Sequence, residues 1–211
     1  MFNILFYGDS NTWGFDPRTT LRYPFHSRWT TVCAALLGDD YNCIPAGMNG
    51  RTTVFDDPMK GARNGLTGLD YELQSHKPLD LAVVTLGTND LKYTDASGVS
   101  ADMEELVRSI LTANERFCLS SPVFPENRAR ILLVSPVLLR GHVGDRADDI
   151  ADSHRLADLY RALAGRYSLH FMDAAEFAVA SEIDGVHLDP EDHEKLGRAM
   201  AERIREICDR G

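Results

Sequence analysis

Short apolar runs alternate along the chain with longer stretches of helical period. The first run, Phe2 to Tyr7, is apolar at every step but Asn3, the pattern of a strand buried on both faces. It stops at Gly8, where a polar turn begins. Tyr41–Pro45, Asp80–Leu86, Arg130–Val134 and Leu169–Met172 read as further strands, Asp80–Leu86 most clearly because it is β-branched and apolar on both faces. Helices are expected over Trp29–Leu37, with Ser27 as its cap and Gly38 as its stop, and over Leu69–Ser75. Ala101–Phe117 carries Met103, Leu106, Val107, Ile110 and Leu111 at helical spacing. Asp148–Tyr167 does the same with Leu156, Leu159, Tyr160 and Leu163. A final helix is expected from Pro190, a favourable early position for proline, to about Cys208. Strand and helix alternate without repeat, linker or break in composition. The pattern predicts one α/β domain over residues 1–211, a five-stranded parallel sheet in flavodoxin-like order with helices on both faces.

Composition narrows the function classes. The 211 residues carry a net charge of −10, and their arginines are scattered among acids rather than gathered in a stripe. Nucleic acid is therefore not an expected partner, since phosphate contacts need clustered cations. No apolar segment approaches the ~20 residues of a membrane span, and the first apolar run lacks a basic leader. A cytoplasmic protein is expected. Cys33, Cys43, Cys118 and Cys208 lie far apart with no C-x-x-C pair, which reads as free thiols rather than a disulfide or zinc site.

The chemistry gathers in four polar turns. Gly8-Asp9-Ser10, Asn49-Gly50-Arg51 and Gly87-Thr88-Asn89-Asp90 each follow a strand, at the sheet edge where α/β proteins bind ligands. Asp184-Gly185-Val186-His187 lies between the last strand and the last helix. Together they supply what acyl transfer needs. Ser10 can serve as nucleophile, His187 as the base that takes its proton, and Asp184 as the group that orients the imidazole. The Gly50 N–H and the Asn89 side chain can donate to an oxyanion. Each piece also has a plainer reading: a helix cap for Ser10, a turn for Asn89, a positive φ for Gly50, a surface histidine for His187. Their occurrence as an ordered set at strand ends is more specific than any member.

That ordered set resembles the SGNH hydrolases, or GDSL-type esterases, over nearly the whole chain. Gly8-Asp9-Ser10 matches the first block, Gly50 within Gly47–Thr53 the second, Gly87–Asp90 the third, and Asp184–His187 the last. The likeness is nearest to the bacterial arylesterase and acyltransferase branch, whose first block runs on as Thr-Trp-Gly and whose second continues as Arg-Thr-Thr. The resemblance implies a three-layer αβα hydrolase, homo-oligomeric, acting on short acyl esters without a cofactor. It gives the Ser10 N–H, the Gly50 N–H and Asn89 the oxyanion roles. Asn11 stands where the name-giving pattern has Leu, and is expected to take no part in the chemistry.

Rival chemistries are less well served. Thr12 stands where the second glycine of a G-x-S-x-G elbow would be, and no phosphate-binding loop is present. A metal site of Asp184, His187, Asp189 and His193 lacks the H-E-x-x-H spacing, and Pro190 divides it. No metal is expected. Carbohydrate O-deacetylation and acyl transfer stay open as alternatives on the same site, as does a non-catalytic binding protein on the same fold. Trp13, Phe15 and Met48 flank the turns that carry Ser10 and Gly50, and are expected to bound a small acyl pocket. The loop from Arg51 to Gly68 is the candidate for contact between subunits.

Overall fold

The computed structural model describes residues 1–58, 60–117, 121–141 and 147–209. Five strands form one parallel sheet in the order β2-β1-β3-β4-β5: β1 Phe2–Gly8, β2 Tyr41–Gly47, β3 Leu81–Thr85, β4 Ile131–Ser135 and β5 His170–Asp173. This is the expected flavodoxin-like order. The period-two alternation of a strand sends successive side chains to opposite faces and divides the core in two. Ile4, Phe6, Leu81, Val83, Leu132 and Val134 face α2 (Trp29–Leu37) and α7 (Pro190–Asp209). Leu5, Tyr7, Ala82, Val84, Ile131 and Leu133 face α3 (Gly65–His76), α4 (Ala96–Leu111) and α6 (Ala147–Tyr167). Helices therefore cover both faces, giving three layers.

Boundaries differ from the sequence expectation where side chains bond to backbone. Helix α3 begins at Gly65, four residues before Leu69, because Asn64 caps it by accepting from the Thr67 N–H at 3.2 Å. Helix α4 begins at Ala96 because Asp95 accepts from the Gly98 N–H at 2.8 Å. The expected single helix to Phe117 is broken. Thr112 turns its hydroxyl back onto the Arg108 carbonyl at 2.9 Å, and a separate helix, α5, runs Ala113–Phe117. Cys33, Cys43 and Cys208 are free thiols, and Cys118 lies outside the described residues. Among the described residues no helix is long and apolar enough to cross a membrane.

The start of α2 shows a tertiary contact doing the work of a cap. Ser27 ends a short 3₁₀ turn, and the cap position falls to Arg28, whose side chain makes no capping bond. The Trp29 N–H is instead accepted by His193 Nδ1 at 3.3 Å, reaching across from α7. An accepting Nδ1 requires a neutral ring with its proton on Nε2. His193 is fully buried, and burial lowers its pKa to about 4. A histidine with a depressed folded pKa leaves the unfolded chain binding more protons between the two values, so stability rises with pH there and is lost as pH falls. The folded protein should therefore lose about 3 kcal/mol through His193 as pH drops from about 6.5 to about 4. Urea unfolding at neutral and mildly acidic pH checks this. His193→Asn, whose Oδ1 can replace Nδ1 as acceptor but does not titrate, should show a distinctly smaller loss.

Candidate active site

Strand register brings three loops to one place. Gly8 at the end of β1 pairs with Gly47 of β2 on one side and Thr85 of β3 on the other. Ser10, Gly50 and Asn89 follow those three residues by two to four positions, so they leave the sheet from a single row at its carboxyl edge. A one-turn helix, α1 (Ser10–Trp13), starts there, with the Asp9 carboxylate accepting from the Asn11 N–H at 2.9 Å. Its backbone lies so close to Gly47 that a Cβ there would fall 2.2 Å from the Trp13 nitrogen. Gly50 has φ +76°, in the left-handed region that favours glycine. The turn's own bond runs from the Arg51 N–H to the Met48 carbonyl at 3.1 Å and does not use the Gly50 N–H.

Ser10, His187 and Asp184 come together in space. Ser10 Oγ lies 2.9 Å from His187 Nε2, and His187 Nδ1 lies 2.5 Å from Asp184 Oδ2. An ionised carboxylate only accepts, so Nδ1 carries the ring proton and Nε2 is left to accept from the Ser10 hydroxyl. Asp184 uses its other oxygen on the loop itself, accepting from the N–H groups of Val186 and His187, both at 3.0 Å. Burial pushes the Asp184 carboxyl up, but the His187 ring and these two N–H donors outweigh it and hold it at about 2. Ser10 is buried to within 6% of full cover, and the Phe15 ring lies tilted on the His187 ring with centroids 4.3 Å apart.

Asn11 does more than the sequence reading allowed. Its Oδ1 accepts from the Leu188 N–H at 3.0 Å and its Nδ2 donates to the Val186 carbonyl at 3.2 Å. One amide thus grips the chain on both sides of His187, from the residue next to Ser10. A leucine has no such donor and acceptor, so the departure from the name-giving pattern ties the serine turn to the histidine loop.

The second and third turns are also bonded to each other. Asn89 Nδ2 donates to the Arg51 carbonyl at 3.1 Å, and Asn89 Oδ1 accepts from Lys92 Nζ at 2.6 Å. Asp90, fully buried, accepts at Oδ1 from the Thr53 N–H at 2.8 Å and the Thr53 hydroxyl at 2.6 Å. Burial raises its carboxyl to about 6. Arg51 runs beneath the turn. Its Nη1 donates to the Gly8 carbonyl at 2.9 Å and to the Ala46 carbonyl, and its guanidinium carbon sits 4.1 Å from the centre of the Tyr7 ring. Arg51, Thr53 and Asp90 stood inside the matched motifs without an assigned role. Lys92, an isolated charge in a turn, offered no sequence signal.

The three expected pocket residues sit differently. Phe15 contacts His187 directly. Trp13 lies under the Arg22 guanidinium, 5.0 Å from the ring centre, and its carbonyl accepts from Arg22 Nε at 2.7 Å. Met48 is fastened by its N–H to the Gly8 carbonyl at 3.1 Å, beside the strand end that leads to Ser10. The residues weighed as a metal site part company. His193 turns to Trp29, Asp189 pairs with Arg18 at 3.1 Å, and among the described residues no three His, Cys, Asp or Glu side chains converge as metal ligands.

Comparison with known proteins identifies similar chains. A carbohydrate acetylesterase from Sinorhizobium meliloti, Est24, is 35% identical over 98% of this chain and 100% of its own, with a TM-score of 0.91. The aryl esterase of M. smegmatis is 32% identical over 98% of this chain and 99% of its own, with a TM-score of 0.89. Among curated proteins none matches the chain. Residues 6–208 match the GDSL-like lipase/acylhydrolase family, a span that takes in all four turns, and the chain belongs to that family as an ester hydrolase.

Proposed function

We propose that the protein is a serine esterase that hydrolyses short-chain acyl esters through Ser10, His187 and Asp184. The observation that carries this reading is the continuous line of hydrogen bonds from Ser10 Oγ through the His187 ring to Asp184. His187 Nε2 takes the hydroxyl proton as Ser10 Oγ attacks the ester carbonyl. The carbonyl oxygen gains charge and is met by the Ser10 N–H, the Gly50 N–H and the second N–H of Asn89 Nδ2. His187 then gives its proton to the leaving alcohol. Water, deprotonated by the same ring, releases the acid and restores Ser10. Asp184 stays ionised throughout and stabilises the imidazolium that forms twice in each cycle. No cofactor enters this scheme. The same reading takes the protein as a cytoplasmic homo-oligomer with its subunit contact in the expected segment from Arg51 to Gly68, of which Arg51 is buried and Gly65–Gly68 belong to α3, so the loop between them is the part proposed for contact.

Phe15 supports a short acyl group. Its ring lies on the ring of His187, whose Nε2 meets Ser10 Oγ, and Trp13 and Met48 stand on the turns that carry Ser10 and Gly50. The resemblance to both an aryl esterase and a carbohydrate acetylesterase supports variation in the alcohol more than in the acyl group. Sugar O-deacetylation is thus the second reading, and acyl transfer to an alcohol differs from hydrolysis only in what resolves the acyl-enzyme. With ester hydrolysis established for the chain, the non-catalytic alternative lapses.

Four outcomes test the reading. Ser10→Ala should fold and lose nearly all esterase activity, and a fluorophosphonate should label the parent once, at Ser10. Peptide mapping of the labelled protein checks this, and label elsewhere with activity retained in the variant rules the mechanism out. The pH profile of kcat/KM should have one acid limb with the slope of a single proton. Asp184, held at about 2, should add no second limb above about pH 4. Asp184→Asn should lower kcat by at least about 10²-fold while Ser10 stays open to the label. In a series of aryl esters with one leaving group, kcat/KM should hold from acetate to butyrate and then fall, each excess methylene costing about 1–3 kcal/mol. Octanoate hydrolysed as well as acetate would remove Phe15, Trp13 and Met48 from the acyl site.

A further inference from the structure

We propose that Lys92 is a positioning residue for ester hydrolysis. Its ammonium, bonded to the Asn89 carboxamide oxygen, fixes which end of that amide faces the reacting carbonyl and strengthens the amide as a donor. The proposal rests on the reading of Asn89 as an oxyanion donor and extends it.

An asparagine at an oxyanion site is useful in one of its two orientations only. Turned over, it would present a carbonyl oxygen to a developing negative charge. Here both neighbours select the useful orientation. Lys92 Nζ has donors and no acceptor, so the atom 2.6 Å from it must be Oδ1. The Arg51 carbonyl only accepts, so the atom 3.1 Å from it must be Nδ2. Nδ2 carries two hydrogens and spends one on Arg51, which leaves one for substrate.

The two neighbours do different work. The Arg51 carbonyl is a neutral acceptor, so it orients the amide without polarising it toward donation. Lys92 is a full charge on the amide oxygen. Drawing electron density toward Oδ1 makes the N–H hydrogens more positive, and the gain is largest when the group they meet becomes an anion. The charge is thus felt more in the tetrahedral intermediate than in the bound ester. The 3₁₀ turn Asp90–Lys92 follows Asn89 directly, which places the lysine three residues on and within reach of the amide by local geometry alone. The charges that surround Lys92 come from several elements: Asp9 before α1, Asp57 and Lys60 from the loop after β2, and Asp90 beside it.

A double-mutant cycle on kcat with an aryl acetate tests this. Lys92→Met should lower kcat by about ten-fold or more with KM changed less than about three-fold, because the missing interaction belongs to the transition state. Lys92→Arg should restore most of the loss by keeping the charge. In an Asn89→Ala background, Lys92→Met should cost nothing further, since the group it acts through is gone. Fluorophosphonate labelling at Ser10 and thermal unfolding report whether each variant is intact, and Lys92→Gln replaces Lys92→Met should the latter not fold. A full Lys92→Met penalty in the Asn89→Ala background, a loss confined to KM, or no rescue by arginine overturns the proposal. Should Asn89→Ala alone keep full kcat, the oxyanion reading of Asn89 fails and the role of Lys92 falls with it. That arm changes no lysine, so the two failures are distinguishable.

Discussion

The site depends on a buried guanidinium at the carboxyl edge of the sheet. Arg51 has only 6% of its surface exposed, and among the described residues no carboxylate forms an ion pair with it. Its charge is met instead by the carbonyls of Gly8 and Ala46 and by the face of Tyr7. The last carbonyls of neighbouring parallel strands point the same way and have run out of partners in the ladder. A planar donor placed across β1 and β2 satisfies them and pins the strand ends together. Its own carbonyl then receives Asn89 from the end of β3. Arg51 thus links the three turns bearing Ser10, Gly50 and Asn89, alongside the Met48–Gly8 and Thr53–Asp90 bonds. A neutral side chain would remove a charged donor from both carbonyls and leave Gly8 to the Met48 N–H, the loss of two buried hydrogen bonds.

The fourth turn is held by a separate device, because it does not end a strand. The segment 184–187 arrives from beyond β5, and nothing in the sheet register constrains it. Asp184 folds the turn on itself by accepting two of its N–H groups, while Asn11 grips its far end at Val186 and Leu188. His187 is therefore fixed from both sides before any contact with Ser10. This division of labour suits catalysis by preorganised dipoles. In the proposed mechanism the donors and the base are in place at the start, so little has to reorganise as charge develops.

Burial is used in opposite senses around the site. It holds His193 neutral so that the ring can accept at the start of α2, and it raises Asp90 behind the Asn89 turn. Asp184 is also partly buried, yet three donors keep it charged. In the proposed mechanism Asp184 balances a transient imidazolium, and there the hydrogen bonds to the charged form outweigh burial, whereas at Asp90 burial outweighs the two Thr53 donors.

What the sequence determined by itself follows from short-range rules. Apolar runs of strand length, helical spacing between them and polar turns at their ends define an α/β chain, and the ordered turns at 8–10, 50, 87–90 and 184–187 name the residues that meet. Those signals survive because they depend on spacing along the chain. The tertiary structure alone decided what reaches across it. His193 replaces the expected Ser27 cap because a lone pair on α7 comes to rest over the Trp29 N–H. Asn11 takes a part in the site because residue 188 packs beside it, 177 positions away. Arg51 stands in a matched motif, but its role arises because the strand ends converge on one row and leave carbonyls for a cation to meet. Lys92 reaches Asn89 through a local turn, and only the placing of that turn at the sheet edge brings it to the site. A hydrogen-bond partner is a matter of position in space, and for His193, Asn11 and Arg51 no local pattern encodes it.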